Sequence, residues 1–315
     1  MNARFDKLFT ELDKQSTGFR RPYLEFLRSL FCSEPAATVG IQVPRLTVVV
    51  LPDRVDDAAF RTELRRRSDR LAAAGWLLID QRDVKKLVGF RRWVSDAGPS
   101  RAGATAFADA FRSLVEDACA KIETPVAGVL VTGSYLCGDS LSIDRGSPVQ
   151  ASRRVLRSIA EIIGADATEA VIIADSAGIE AGAAYGELVR SGSPVTAERA
   201  IAVWRQRGDH DWESRAKTLV TLAGFDNAVV VGRSPEPGIA GALARTAAID
   251  PALEQAFADA SFGTTVRRLR PPGPSMLAVF NAHAEGKRLD AARAYVAERY
   301  STSERYPIPG WDSQV

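Results

Sequence analysis

The apolar residues of this chain recur in short runs, and each run is followed by a segment with helical spacing. The runs are continuous rather than alternating, which is typical of strands that are covered on both faces. Strands that alternate with helices in this way predict an α/β fold with a mostly parallel, doubly wound (Rossmann-like) sheet and helical additions at both ends. The predicted strands lie at residues 45–51, 76–79, 126–132, 170–174 and 227–231, and residues 264–269 are a candidate for a last strand.

Breaks in this pattern divide the chain into three predicted units. Residues 1–97 form an N-terminal α/β unit with a helical lead, residues 104–270 form the Rossmann-like core, and residues 271–315 form a C-terminal helical cover and tail. Glycine, proline and serine are frequent at 95–105, which is typical of a linker or an exposed loop. The pattern leaves open whether the first two units contribute strands to one sheet.

Three of the predicted strands end in turns of small and polar residues. Because the carboxyl ends of parallel strands meet at one edge, and open α/β folds bind their ligands there, we expect the three turns to form one site. Free N–H groups at helix starts and a nearby guanidinium suit an anion. We therefore predict that a small anionic or nucleotide-like ligand binds at this edge, with or without catalysis, through Gly133, Ser134, Gly178, Gly232, Arg233 and Ser234.

Two short resemblances bear on the kind of ligand. Residues 230–234, with Gly238 beyond them, resemble the Gly-Arg-Ser turn of methylene-tetrahydrofolate dehydrogenases. Residues 128–141 and 171–182 resemble the two motif strands of toprim domains, which implies three acids for magnesium, but only Asp175 matches one of them. Because two of the three acids are missing, the sequence predicts no metal site. Because no G-x-G-x-x-G and no P-loop motif occurs, it predicts no standard dinucleotide or P-loop site.

A second hypothesis is a serine hydrolase. Residues 174–178 read Ala-Asp-Ser-Ala-Gly and resemble the nucleophile elbow of α/β-hydrolases, in particular hormone-sensitive-lipase-like esterases. The resemblance implies that Ser176 is the nucleophile beside Asp175, and only His283, downstream, is placed to act as its base.

A third hypothesis is a non-catalytic protein that keeps a degenerate α/β fold and binds a macromolecule or assembles with itself. The helix predicted at 57–74, with Asp56 and Asp57 as its cap, is rich in arginine, which suits nucleic acid or an acidic protein surface. Nucleic acid is the less favoured partner, because 41 basic residues nearly balance 39 acidic ones in the whole chain. The arginines are Arg61, Arg65, Arg66, Arg67 and Arg70.

Apolar run lengths, the first residues and the cysteines indicate the cellular compartment. No apolar run is long enough to cross a membrane, and residues 1–7 show no signal-peptide pattern. The three cysteines are widely spaced and form no Cys-x-x-Cys pair, as expected in a reducing compartment. We therefore expect a cytoplasmic protein, and the many alanines and arginines suggest a bacterial one.

Overall fold

The central feature of the computed structural model is one sheet of five parallel strands in the order β2-β3-β1-β4-β5. The structure describes residues 41–94, 101–137, 148–208, 210–212, 216, 223–232, 243–244, 246–257 and 267–311. The predicted α/β fold with a parallel sheet is confirmed. The strands are β1 (Val43–Val50), β2 (Trp76–Asp80), β3 (Gly128–Thr132), β4 (Ala165–Ile173) and β5 (Asn227–Val231).

Helices connect these strands and extend beyond the last of them. Before β4 they are α1 (Arg54–Arg66), α2 (Ser68–Ala73), α3 (Gln81–Val84), α4 (Phe90–Trp93), α5 (Arg101–Cys119) and α6 (Pro148–Ile162). After β4 they are α7 (Ala177–Arg190), α8 (Ala197–Arg207), α9 (Pro251–Phe257), α10 (Gly273–His283) and α11 (Gly286–Tyr300). Within the described residues, no helix has the length and apolar character needed to span a bilayer.

The strand sequences are continuously apolar because helices cover both faces of the sheet. Alternate side chains of β1 enter two different cores: Val48 and Val50 pack against α5 and α6, whereas Val49 packs against α1 and the residues around α9. Because both faces of β1 are buried, its sequence is a continuous apolar run and does not alternate between apolar and polar residues.

The strand order creates a switch point between β1 and β3. The chain leaves β1 through α1 on one face to reach the edge strand β2, and it leaves β3 on the other face to cross β1 and form β4. Neighbouring strands whose connections leave on opposite faces open a crevice at their carboxyl ends, where ligands bind in folds of this class.

The first two predicted units share this sheet, because β1 and β2 both pair with β3. Residues 41–315 form one compact unit. The helical lead at 1–31 lies outside the described residues. The arginine-rich segment forms two helices, α1 and α2, which are separated at Arg67.

The C-terminal residues return to the carboxyl edge of the sheet. Helices α10 and α11 pack with α7 and α8 in a third core, and α11 leads into β7 (Ser301–Thr302), which pairs antiparallel with β6 (Arg268–Leu269). The following residues lie along α7, where the Ile308 N–H donates to the Gly178 carbonyl at 3.1 Å. We call residues 301–311 the C-terminal strap.

Candidate functional site

The carboxyl edge of the sheet carries most of the residues that the sequence proposes as a site. Gly133 and Ser134 follow β3, residues 174–178 follow β4, and Gly232 follows β5. Because these strands are parallel, the three segments lie along one edge in the order β3, β4, β5, with the end of β1 between the first two. Arg233 and Ser234 lie outside the residues that the structure describes.

The structure does not bring Ser176 and His283 together. Ser176 precedes the first residue of α7, whereas the end of α10 packs at the other end of that helix, where Asn281 Nδ2 donates to the Val189 carbonyl at 2.7 Å. A 14-residue helix is about 20 Å long. Ser176 has ordinary extended torsions (φ −56°, ψ 150°) rather than the strained turn of a nucleophile elbow.

The first turn of α1 is the part of the edge that the sequence analysis missed as a site. Asp53, not Asp56 or Asp57, caps this helix: its Oδ1 accepts the N–H groups of Val55 at 2.9 Å and Asp56 at 3.3 Å. The predicted cap is therefore wrong, because the observed cap lies three and four residues before the two predicted positions. Asp56 and Asp57 instead follow the cap as buried carboxylates and have other partners.

A carboxylate cage surrounds two arginines between the ends of β1 and β4. Its carboxylates are Asp53, Asp56, Asp175 and Glu180, and all but Asp175 have side chains no more than 2% exposed. Arg305 from the strap donates Nη2 to Asp53 at 3.0 Å and to Asp56 at 2.8 Å, and its Nη1 lies 3.2 Å from Asp175 Oδ2 and 3.5 Å from Glu180 Oε1. These four contacts join the C-terminal strap to the sheet edge.

Arg268 is the second cation of the cage. Its Nη2 lies 2.8 Å from Asp53 Oδ2 and also pairs with Asp56. A cavity of about 20 Å³ remains beside it, with Arg190, Arg268 and Arg305 in its wall. That volume holds roughly one water molecule, so with the strap in place the cage is filled by the arginines of the chain itself.

Burial and the two arginines set the pKa values of the cage in opposite directions. Burial pushes the pKa of Asp53 upward, but Arg268 and Arg305 outweigh it and hold that pKa below its usual value. Burial and the charge of Asp53 raise the pKa of Asp56, and burial raises the pKa of Glu180 to about 7. Around neutral pH, Glu180 is therefore close to its titration midpoint.

A second group of polar residues lies beside the switch point, in the first turn of α1 and at the ends of β2 and β3, and all of them except Ser134 are buried. We call this group the switch-point crevice and define it by Asp57, Asp80, Gln81, Thr132, Ser134 and Tyr135. Gln81 Oε1 accepts both the Ser134 N–H at 2.8 Å and the Ser134 hydroxyl at 3.0 Å. Arg61 joins the two carboxylates, with Nε 2.8 Å from Asp57 Oδ2 and Nη1 3.4 Å from Asp80 Oδ1. Burial raises the pKa of Asp57 to about 6 despite Arg61.

Two hydroxyl groups in the crevice have no hydrogen-bond partner among the described residues. They are Thr132 Oγ1, whose residue is fully buried, and Tyr135 Oη, whose residue is 6% exposed. Burial and the charges of Asp57 and Asp80 raise the pKa of Tyr135, which keeps its hydroxyl protonated as a donor. Buried polar groups are nearly always paired, and these two hydroxyls at the carboxyl end of β3 are exceptions.

Cations gather near the same crevice. Partial burial lowers the pKa of Lys85, the charges of Arg61 and Arg54 lower it further, and the charges of Asp57 and Asp80 oppose this, so all four groups lie within electrostatic range of Lys85. Lys85 is exposed and forms no ion pair with any residue that the structure describes.

Most arginines of the arginine-rich segment form ion pairs with acidic residues of the same chain. Arg61 pairs with Asp57, Arg65 with Asp80 at 2.9 Å, and both Arg66 and Arg67 pair with the buried Glu63. Across the described ranges, no three His, Cys, Asp or Glu side chains form a metal-ligand set.

No protein-family model, no curated protein and no solved structure matches this chain. The function is therefore inferred from the fold and from the geometry at the carboxyl edge of the sheet.

Proposed function

We propose that this protein binds a small anionic, nucleotide-like ligand in the switch-point crevice between β1 and β3. The supporting observation is a pair of buried hydroxyls at the carboxyl end of β3, Thr132 Oγ1 and Tyr135 Oη, which have no hydrogen-bond partner among the described residues. The charge of Asp57 acts on the Tyr135 hydroxyl. The position is the one at which doubly wound folds bind ligands.

The chemistry of the crevice supports a ligand with two different ends. Lys85, which is exposed, would attract a phosphate or carboxylate, and Arg54 lies within electrostatic range of it. The Asp57 carboxylate and the Tyr135 hydroxyl would bind neighbouring hydroxyl groups, one as acceptor and the other as donor. A phosphorylated sugar or a nucleotide offers both kinds of group, and a cytoplasmic location, where such ligands occur, is part of the proposal.

The alternative of a macromolecule-binding protein has less support, because the arginines expected to contact the partner pair with Asp57, Asp80 and Glu63. Of the turn residues that the sequence analysis assigns to the ligand site, only Gly133 and Ser134 belong to the proposed site, because they border the crevice.

The test is calorimetric titration and thermal shift with a panel of nucleotides, unphosphorylated nucleosides, sugar phosphates and inorganic phosphate. We expect one class of phosphorylated ligand to bind and to raise the melting temperature. Tyr135→Phe should leave the stability of the free protein nearly unchanged, since its hydroxyl has no hydrogen bond there, and should weaken binding about 3- to 10-fold.

Two matched controls sharpen the test. Tyr185→Phe removes a hydroxyl that donates to the Val195 carbonyl outside the crevice, and it should bind the ligand as the wild type does. Lys85→Gln should weaken binding and reduce its salt dependence, whereas the neighbouring Lys86→Gln should do neither, because Lys86 pairs with Asp83. If no member of the panel binds, or if Tyr135→Phe binds at wild-type affinity, the proposal is wrong.

A further inference from the structure

We propose that the C-terminal strap regulates the switch-point crevice by holding the first turn of α1 in the arrangement that binds the ligand. This inference rests on the proposed function of the crevice, and it assigns a coupled role to residues 301–311.

The first turn of α1 belongs to both sites. Asp53 and Asp56 face the carboxylate cage, where they bind Arg305 and Arg268. Arg54 and Asp57, which alternate with them in the sequence, lie toward the crevice: Asp57 binds Arg61, and Arg54 is close enough to Lys85 to lower its pKa. Any movement of this turn therefore changes both groups at once.

The strap places a positive charge between acidic side chains that would otherwise repel one another. Asp53 and Asp56 are buried side by side, and the charge of Asp53 helps to raise the pKa of Asp56. Arg305 binds both, and its other end binds Asp175 at the start of the β4–α7 connection. With Arg305 removed, Arg268 is the one arginine of the cage left to balance its four carboxylates, so we expect the α1 cap to loosen.

The position of the strap depends on glycines of α7. A Cβ atom on Gly182 would lie 2.0 Å from the Tyr306 carbonyl oxygen, and one on Gly178 would lie 2.8 Å from Trp311 Cδ1. A Cβ atom on Gly186, one turn further along the same helix, would meet nothing within 4 Å. Gly182→Ala therefore lifts the strap without changing any charge, and Gly186→Ala is its matched control.

The first measurement needs no ligand. The amides of Val55 and Asp56 donate to Asp53, so their hydrogen exchange reports whether the α1 cap is intact. In Gly182→Ala we expect these two amides to exchange at least about 10-fold faster relative to amides at the centre of β1, which report global unfolding. Gly186→Ala should match the wild type. Arg305→Gln removes the ion pairs that hold the strap to the cage. It replaces Gly182→Ala in this measurement if that variant does not fold.

The second measurement is affinity for the panel ligand that the wild type binds. We expect about 10-fold weaker binding by Gly182→Ala and Arg305→Gln, wild-type binding by Gly186→Ala, and slower exchange of residues 301–311 when ligand is bound, because coupling between sites is reciprocal. Unchanged amide exchange, or equal or tighter binding by Gly182→Ala, would overturn the inference while leaving the proposed function intact. Failure of the wild type to bind any panel member overturns both.

Discussion

Arg305 Nη2 lies 2.8 Å from Asp56 Oδ2, although 249 positions separate the two residues in the sequence. This ion pair joins the C-terminal strap to the first turn of the helix that follows the first strand. It gives the carboxyl edge of the sheet a cover that belongs to the same chain.

Arg305→Ala should strongly destabilise the fold, because it leaves buried carboxylates without their main partner. Removal of one member of a buried ion pair costs about 3–5 kcal/mol. Urea unfolding of the variant and the wild type measures the difference in the free energy of unfolding. Arg157→Ala is the control, since its pair with Glu161 is about half exposed and should contribute less than about 1 kcal/mol. Equal losses in the two variants would contradict the assignment.

The stability of the protein should fall as the pH rises from about 4.5 to 7. Burial raises the pKa of Glu180 from 4.5 to about 7, so between these values the folded state holds a proton that the unfolded state has lost. The contribution is complete below pH 4.5 and disappears above 7, with a slope of up to about 1.4 kcal/mol per pH unit for one proton. Asp57, with its pKa raised to about 6, acts in the same direction at lower pH.

Glu180→Gln isolates the contribution of Glu180 to this profile. Glutamine keeps an oxygen that can accept the Asp175 N–H, now bound by Glu180 Oε1 at 2.7 Å, but it cannot titrate. Denaturation at a series of pH values should therefore show a flatter profile for the variant between pH 6 and 7. Profiles that run parallel through that interval would refute the assigned pKa.

Gly133→Ala should disturb the crevice by steric overlap. A Cβ atom there would lie 2.5 Å from Tyr135 Cε1 and 2.9 Å from Gln81 Cβ, and overpacking of this kind costs about 1–3 kcal/mol. Gly232→Ala is the matched variant at the end of β5, where a Cβ would meet nothing within 4 Å, and it should change stability by less than about 0.5 kcal/mol. Thermal unfolding distinguishes the two, and a silent Gly133→Ala would argue against the described packing.

Fluorophosphonate probes should not label Ser176. The side chain begins a helix with ordinary torsions, and His283 lies beyond the other end of that helix. Mass spectrometry of the probe-treated wild type and Ser176→Ala should give the same background. Labelling that depends on Ser176 would restore the hydrolase hypothesis.

The sequence alone predicts the features that depend on residues close together in the chain. The continuous apolar runs of β1 and β4 predicted buried strands, because only two-sided cover makes every position of a strand apolar. Parallel strands then required Gly133 and residues 174–178 to lie on one edge. Those inferences use local pattern and the geometry of a sheet, and they needed no knowledge of distant contacts.

The tertiary structure alone decided which side chains meet at that edge. Asp53, Asp56 and Asp57 resemble an ordinary acidic helix start, and Arg305 stands in a segment with no periodic pattern. The free energy that joins them comes from burial and charge pairing between residues more than 200 positions apart, which leaves no periodic signal in either segment. The same reason explains why Ser176 and His283 are joined only on the sequence. The misplaced cap of α1 is a local error, because Asp53, Asp56 and Asp57 are all residue types that can cap a helix and lie within five positions of one another.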